Sequence, residues 1–243
     1  MIKFKITHNK IPEGSMEITT PLTEYEANIQ FTEIFVRDCY KQALRKKDMV
    51  IIDIGANMGL TALYFKDHAK VIYAIEPSSQ SYQALVENTK AYPNIKTFNL
   101  AIAHENGPVK LHTNDSGGVP DSVFGNGGIE EIVQGVTLEK FMTDNNIDHV
   151  DVLKVDCEGA EYLIFPSFEF KRMAPKIDFI IGEAHIIGDA QPAFLPLMLE
   201  DSGFKLKWDK FKNYFKTLTY TDATSGEKKE YKAYFNTNFT AEK

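Results

Sequence analysis

Residues 49–65 read MVIIDIGANMGLTALYF. The run from Val50 is apolar until Asp53, as expected for a central strand covered on both faces. It stops at that carboxylate, passes Gly55 and Gly59, and resumes from Leu60 with helical character. A strand that ends in a glycine turn and opens a helix is a unit of an open parallel sheet. In such sheets ligands bind beyond the carboxyl ends of the strands, where strand order reverses. Gly55 has no Cβ, so it can take a positive φ and let a ligand approach the backbone. Gly59 permits tight packing where the helix begins, and free N–H groups there favour an anion.

Downstream, strand and helix patterns alternate. Leu60 to Asp67 reads as a helix and Val71 to Glu76 (VIYAIE) as a second buried strand. Ser78 or Ser79 can cap the next helix, in which Tyr82, Leu85, Val86 and Thr89 share a face. Pro93-Asn94 ends it, and Ile95 to Ala103 (IKTFNLAIA) supplies a third strand. Val109 to Thr113 is a short extra strand. Asn114 to Gly128 holds five glycines and a proline; it is irregular and reads as a substrate lid or a long surface loop, with the lid favoured. A helix over Thr137 to Asn145 leads to the strands Val150 to Asp156 (VDVLKVD) and Lys176 to His185 (KIDFIIGEAH). A helix over Ala190 to Asp201 follows. FKLKW, NYFKTLTY and EYKAYFNTNF close the chain as antiparallel strands, with a hairpin around Ser225-Gly226. Upstream, IKFKI (residues 2–6) alternates with strand period. Thr23 to Lys47 carries Ile29, Phe35, Val36, Tyr40, Ala43 and Leu44 at helical spacing and ends in basic residues. The predicted organisation is a strand and helical cap, residues 1–48, on an α/β domain, residues 49–243, forming one compact unit.

Composition narrows the function. The 243 residues are 43% hydrophobic and 25% charged, with a net charge of −7, enough for one large α/β domain. No basic cluster is longer than Arg45-Lys46-Lys47, so nucleic acid is not the expected partner. Cys39 and Cys157 have neither metal nor disulfide spacing. The N-terminus has no hydrophobic signal region and no apolar run approaches membrane-spanning length. A cytoplasmic location is expected, and oligomeric state is not legible.

The glycine turn has a companion in Glu76, an acidic residue ending the next strand about 20 residues on. That separation places a carboxylate on ribose hydroxyls in dinucleotide sites. The spelling D-x-G-x-N-x-G is not G-x-G-x-x-G, which weakens a nicotinamide reading, and no P-loop motif is present. The segments VIIDIGANMGLTALYF, AIEPS, NLAIA, VDVLKVDCEGAE and GEAH, spanning roughly Met49 to His185, resemble the FkbM family of S-adenosylmethionine-dependent methyltransferases.

The resemblance implies a Rossmann-like class I methyltransferase fold. Its sheet is mostly parallel and seven-stranded, with an antiparallel edge hairpin and helices on both faces. It also implies methyl transfer, usually to a hydroxyl of a sugar, glycan or small natural product. Carried over by position, Asp53, Gly55, Asn57 and Gly59 would hold the methionine end of S-adenosyl-L-methionine. Glu76 would hold the ribose diol, with Pro77 fixing the strand exit, and Asn99, Leu100 and Ala101 would border the adenine.

A second acidic cluster follows the strand VDVLKVD. Asp156 ends that strand beside the expected methyl group and Glu158 lies in the turn. Either is a plausible general base, since crowding of carboxylates raises proton affinity. Glu161 falls in the first helical turn, where a carboxylate complements the helix dipole. His185, beside Glu183, could deprotonate an acceptor hydroxyl. Asp156, Glu158, Glu183 and His185 could ligate a cation, but their spacing does not compel it, and no metal is predicted. The alternatives are a nicotinamide-dependent oxidoreductase or epimerase, and a non-catalytic S-adenosylmethionine-binding module. A nucleic-acid amino-methyltransferase is disfavoured because Asp156 is followed by Cys-Glu, not Pro-Pro-aromatic. The Gly-rich loop, the cap and the aromatic segment with Trp208, Phe211, Tyr214 and Phe215 are expected to shape the acceptor pocket, the aromatics as edge-strand core more than as a sugar platform.

Overall fold

Apolar alternation along residues 1–20 produces an antiparallel pair, β1 (Ile2–Thr7) and β2 (Ser15–Thr20), with Phe4 opposite Ile18. The computed structural model describes residues 1–9, 11, 14–113, 129–185, 194–208, 215–221, 228–234 and 237–243. The expected lid at 114–128, Phe211, Tyr214 and the Ser225-Gly226 turn lie outside them, as does the Phe215 side chain.

The cap departs from the single helix expected over Thr23 to Lys47. α1 (Glu24–Phe31) starts at a capping box, in which Thr23 and Glu26 satisfy each other's backbone N–H. It runs into a π-helical turn, Thr32–Val36, and stops where Asp38 takes a left-handed φ of 52°. Aspartate is among the few residues that tolerate this conformation. A 3-10 turn, Lys41–Ala43, follows. The break turns Tyr40 inward, where it is buried.

The body of the fold runs β3 (Met49–Ile54), α2 (Leu60–Phe65), β4 (Ala69–Ile75), α3 (Ser79–Thr89) and β5 (Ile95–Phe98). Next come β6 (Ala101–Ile102), β7 (Gly107–Thr113), β8 (Ile129–Val136) and α4 (Leu138–Asp144). Then follow β9 (Val152–Val155), α5 (Glu161–Ile164), α6 (Phe168–Met173), a 3-10 turn at Ala174–Lys176 and β10 (Phe179–Ala184). The chain continues through α7 (Leu195–Glu200), β11 (Lys205–Trp208), β12 (Phe215–Thr221), β13 (Lys228–Tyr234) and β14 (Thr237–Glu242).

The main sheet has the order β11-β14-β10-β9-β3-β4-β5. β3 pairs in parallel with both β4 and β9, so the strand order reverses between β3 and β9. Their carboxyl ends therefore flank the crevice expected of a doubly wound sheet. β14 is the antiparallel member, and it sits between β10 and β11 instead of at the edge. Strands β12 and β13 of the expected C-terminal hairpin pair with each other, and among the described residues they form a separate two-stranded sheet. The expected third strand also divides: β5 stays in the main sheet, while β6 joins β8 and β7 in a three-stranded sheet.

The core lies on both faces, as alternation along a strand requires. Ile52, Ile54, Leu153 and Val155 pack with Leu138, Phe141, Phe165 and Phe170 on one face. Met49, Ile51 and Val152 pack on the other with Phe31, Phe35 and Tyr40 of the cap. Among the described residues no helix is long and apolar enough to cross a membrane.

Candidate active site

The glycine turn folds as a sequence of left-handed residues, with φ of 75° at Gly55, 48° at Asn57 and 90° at Gly59. A Cβ on Gly55 would lie 1.9 Å from the Asp156 carbonyl oxygen, so its bare face is needed by the neighbouring strand end. This corrects the expectation that the missing Cβ admits a ligand from that side. A Cβ on Gly59 would stand 2.8 Å from Leu85 Cδ1, the close helix packing anticipated for it. The turn's amides are less free than expected. Gly55 and Ala56 donate to the Ile75 carbonyl, Gly59 donates to that of Ala56, and Asn57 donates to Glu76 Oε2 at 2.8 Å.

Glu76 ends β4 almost fully buried, and its other oxygen accepts from the Ser78 N–H at 2.9 Å. Two backbone donors thus fix its carboxylate at the strand tip. The Asn99 side-chain amide donates to the carbonyls of Glu76 and Pro77, clipping that tip in place. Leu100 is half-buried beside it, while Ala101 is buried against Leu111 and Val133 of the small sheet. Neither Ser78 nor Ser79 caps α3 with its own side chain; Glu131 of β8 accepts from the Ser79 N–H and hydroxyl instead.

Lys154 is the residue the sequence reading passed over. It is 1% exposed and lies opposite Asp53 in the β3–β9 register. Its Nζ stands 3.0 Å from Asp53 Oδ1 and 3.8 Å from Asp156 Oδ2, and donates to the Gly55 carbonyl at 2.6 Å. Burial alone would weaken its proton affinity, but Asp53 and Asp156 raise it, so the ammonium stays charged. Burial raises Asp53's proton affinity, and Lys154 opposes that. The signal was a lysine inside the otherwise apolar strand VLKV, since a fully buried lysine requires a partner.

The second cluster gathers at the ends of β9 and β10. His185 Nε2 lies 3.2 Å from Glu158 Oε2 and 3.7 Å from Asp156 Oδ1, and Nδ1 lies 3.2 Å from Glu161 Oε1. Glu161 is completely buried and also accepts from the Cys157 N–H. It therefore stands behind the imidazole as its orienting carboxylate, a role beyond the dipole complementation read from its position. Tyr162 donates to the His185 carbonyl at 2.6 Å, and Tyr40 donates from the cap to Asp156 Oδ2 at 3.2 Å. Burial, then the neighbouring carboxylates, push Glu158 up to about 8, although His185 opposes this. Burial lowers His185's proton affinity, but Glu161 and Glu158 outweigh it and hold the ring up at about 10. Burial likewise pushes the Cys157 thiol well up, consistent with a packing role.

The donor atoms of Asp156, Glu158 and His185 all lie within 4.8 Å of one another and could also hold a divalent cation. On the cap side of the sheet, Cys39 and Gln42 face Ile181, Asn238 and Thr240 across a small cavity, with Trp208 at its margin.

Asp53 Oδ1 faces Lys154 Nζ at 3.0 Å, while Asp53 Oδ2 and Asn57 Oδ1 are buried with no hydrogen-bond partner among the described residues. They are acceptors beside the turn, and an ammonium needs acceptors.

The description "Methyltransferase FkbM domain" belongs to the family model that matches residues 53–206, more than half of the chain. "Methyltransferase sdnD" of Sordaria araneosa is 26% identical over 227 residues, covering 78% of this chain and 86% of that one. "Methyltransferase 1" of Beauveria bassiana is 26% identical over 209 residues, covering 76% and 83%. Among solved structures, the precorrin-6y C5,15-methyltransferase of Geobacter metallireducens superposes with a TM-score of 0.50 at 14% identity. Coverage is 98% of each chain, a likeness of fold.

Proposed function

The chain belongs to the FkbM methyltransferase family, and from that premise we propose that it methylates a hydroxyl oxygen of a small-molecule, sugar or glycan acceptor, with Glu158 as general base. The observation that carries this reading is the buried proton-handling cluster at the ends of β9 and β10, where Glu158 and Asp156 face a histidine backed by Glu161. An alcohol is a poor nucleophile until its proton is drawn off, so a positioned base is the group that O-methylation demands. The nicotinamide-dependent alternative falls with the family assignment, and an intact base cluster supports catalysis over a binding-only module.

S-adenosylmethionine, the donor of this family, supplies when bound an electrophilic methyl group on a sulfonium that departs as a neutral thioether. Asp53 and Asn57 would take its ammonium, Glu76 its ribose diol, and the rim formed by Pro77, Asn99, Leu100 and Ala101 its base. Glu158, pushed up to about 8, has the proton affinity suited to accepting the hydroxyl proton near neutrality. His185, protonated at that pH, holds Glu158 and Asp156 together and compensates their charge. Tyr40 fixes Asp156 from the cap side. Orientation and exclusion of water, more than covalent chemistry, would supply the rate.

The deciding experiment incubates the protein with labelled S-adenosylmethionine and a panel of sugars, glycans and small hydroxylated metabolites. Glu158→Gln should lower turnover about 10²–10⁴-fold while leaving calorimetric donor affinity intact. It should also abolish the rise of kcat/KM through about pH 8 that a Glu158 base predicts for the wild type. Equal turnover in the variant, or methyl transfer confined to nitrogen acceptors, would refute the assignment.

A further inference from the structure

We infer that Lys154 sets how strongly the site prefers the charged methyl donor over its neutral product, as the positive member of a row formed by buried Asp53, buried Lys154 and half-buried Asp156. The inference rests on the donor placement proposed above. Asp53 and Lys154 are register partners on adjacent parallel strands, and strand alternation puts both on the cap-covered face. The ammonium lies 3.0 Å from one carboxylate and 3.8 Å from the other. It is also held by the carbonyls of Gly55 at 2.6 Å and Ile54 at 3.3 Å, inside the turn that would take the amino-acid tail next to the donor's sulfonium.

The row carries two negative charges and one positive charge. That leaves one net negative charge to attract a sulfonium. Without Lys154 the same pocket would present two. Methyl transfer removes the positive charge from sulfur, so every increment of attraction for the sulfonium that is lost on transfer stabilises the ground state and raises the barrier. A lysine between the carboxylates limits that attraction and lets the neutral thioether product compete for the same pocket. An apolar side chain would fill the space equally well without this effect, and would leave Asp53 buried and uncompensated.

Donor and product share the amino-acid tail, ribose and adenine and differ by one methyl group and one charge. The ratio of their affinities therefore cancels any general damage to the pocket and isolates the electrostatic contribution. Calorimetric titration of S-adenosylmethionine and S-adenosylhomocysteine into the wild type, Lys154→Met and Asp53→Asn reads it directly. Lys154→Met should shift the ratio toward the methionine form by about five- to tenfold, the field of one charge at moderate distance and intermediate dielectric. Asp53→Asn should shift it the opposite way. Titrations at about pH 7 and about pH 8.5 are both needed, because a carboxylate freed of Lys154 can take up a proton at the lower value. If both variants change the two affinities by a common factor at both pH values, so that the ratio stays within about twofold of wild type, the inference is overturned. If Lys154→Met does not fold, the Asp53→Asn ratio alone decides. A wild-type chain that binds neither ligand would instead overturn the donor assignment itself.

Discussion

Gly55 illustrates how one residue serves two neighbours. Its φ of 75° opens the turn after β3, and its bare α-carbon lets the Asp156 carbonyl approach. Gly55→Ala combines a left-handed strain with a steric overlap against backbone, which cannot rotate away. We expect a loss of at least about 1–3 kcal/mol in urea-unfolding stability, together with loss of donor binding by calorimetry. Gly14 offers the control, since its φ is 73° but nothing lies within 4 Å of its would-be Cβ. A Gly14→Ala change that costs as much as Gly55→Ala would show that strain alone, without the β9 contact, accounts for the effect. The motif spelling made these glycines visible in the sequence. What lay against them was not visible, because Asp156 is about a hundred residues away along the chain.

The cap is an element whose irregularity has a use. A continuous helix over Thr23 to Lys47 would carry its apolar stripe straight past the crevice. The π-helical turn and the left-handed Asp38 break it, and Tyr40 reaches Asp156 Oδ2 at 3.2 Å. Tyr40→Phe keeps the ring and removes the donor, so thermal stability should hold while kcat falls about tenfold, the worth of one hydrogen bond to a charged group. Unchanged kcat would place Tyr40 in packing only. At the other end of α1, Thr23→Ala removes the capping box and should cost about 0.5–2 kcal/mol, typically ~1, in chemical denaturation, with no change in turnover. The stretch T-E-Y-E spells the capping-box pattern, a signal that the helix expected over Thr23 to Lys47 on apolar spacing did not use. The helix break was not legible, since the apolar spacing continues through it.

At the scale of the whole molecule, the buried cluster couples stability to pH. His185 binds its proton more tightly in the fold, rising from 6.5 to about 10, and Glu158 does so from 4.5 to about 8. Groups raised in this way contribute stability that is complete below their unfolded values and lost as pH climbs through the folded ones. Glu139 works in the opposite sense. Arg172 lowers it, so its contribution is present above its unfolded value and fades in acid. Unfolding free energy should therefore peak on the acid side of neutrality and decline toward about pH 10. His185→Gln should flatten that decline; a variant with the same alkaline slope as wild type would contradict the assignment. Saturating S-adenosylmethionine at about 100 times its Kd should raise stability by about 2.7 kcal/mol, seen as an upward Tm shift of about 5–10 °C.

Local patterns were readable from the chain alone. Apolar runs marked β3, β4, β9 and β10, the glycine spelling marked the hinge, and the acidic residues at or just after strand ends marked Asp53, Glu76, Asp156 and Glu158. These are short-range properties, fixed by side-chain direction along a single strand or turn. Only the tertiary structure decided that β3 lies beside β9, and with it that Lys154 stands opposite Asp53 and that Glu161 lies behind His185. It also decided that β14 enters between β10 and β11 while β12–β13 stays apart. Strand order is set by hydrogen bonds and packing between segments distant in the chain, and no periodicity within one segment encodes which neighbour it will meet.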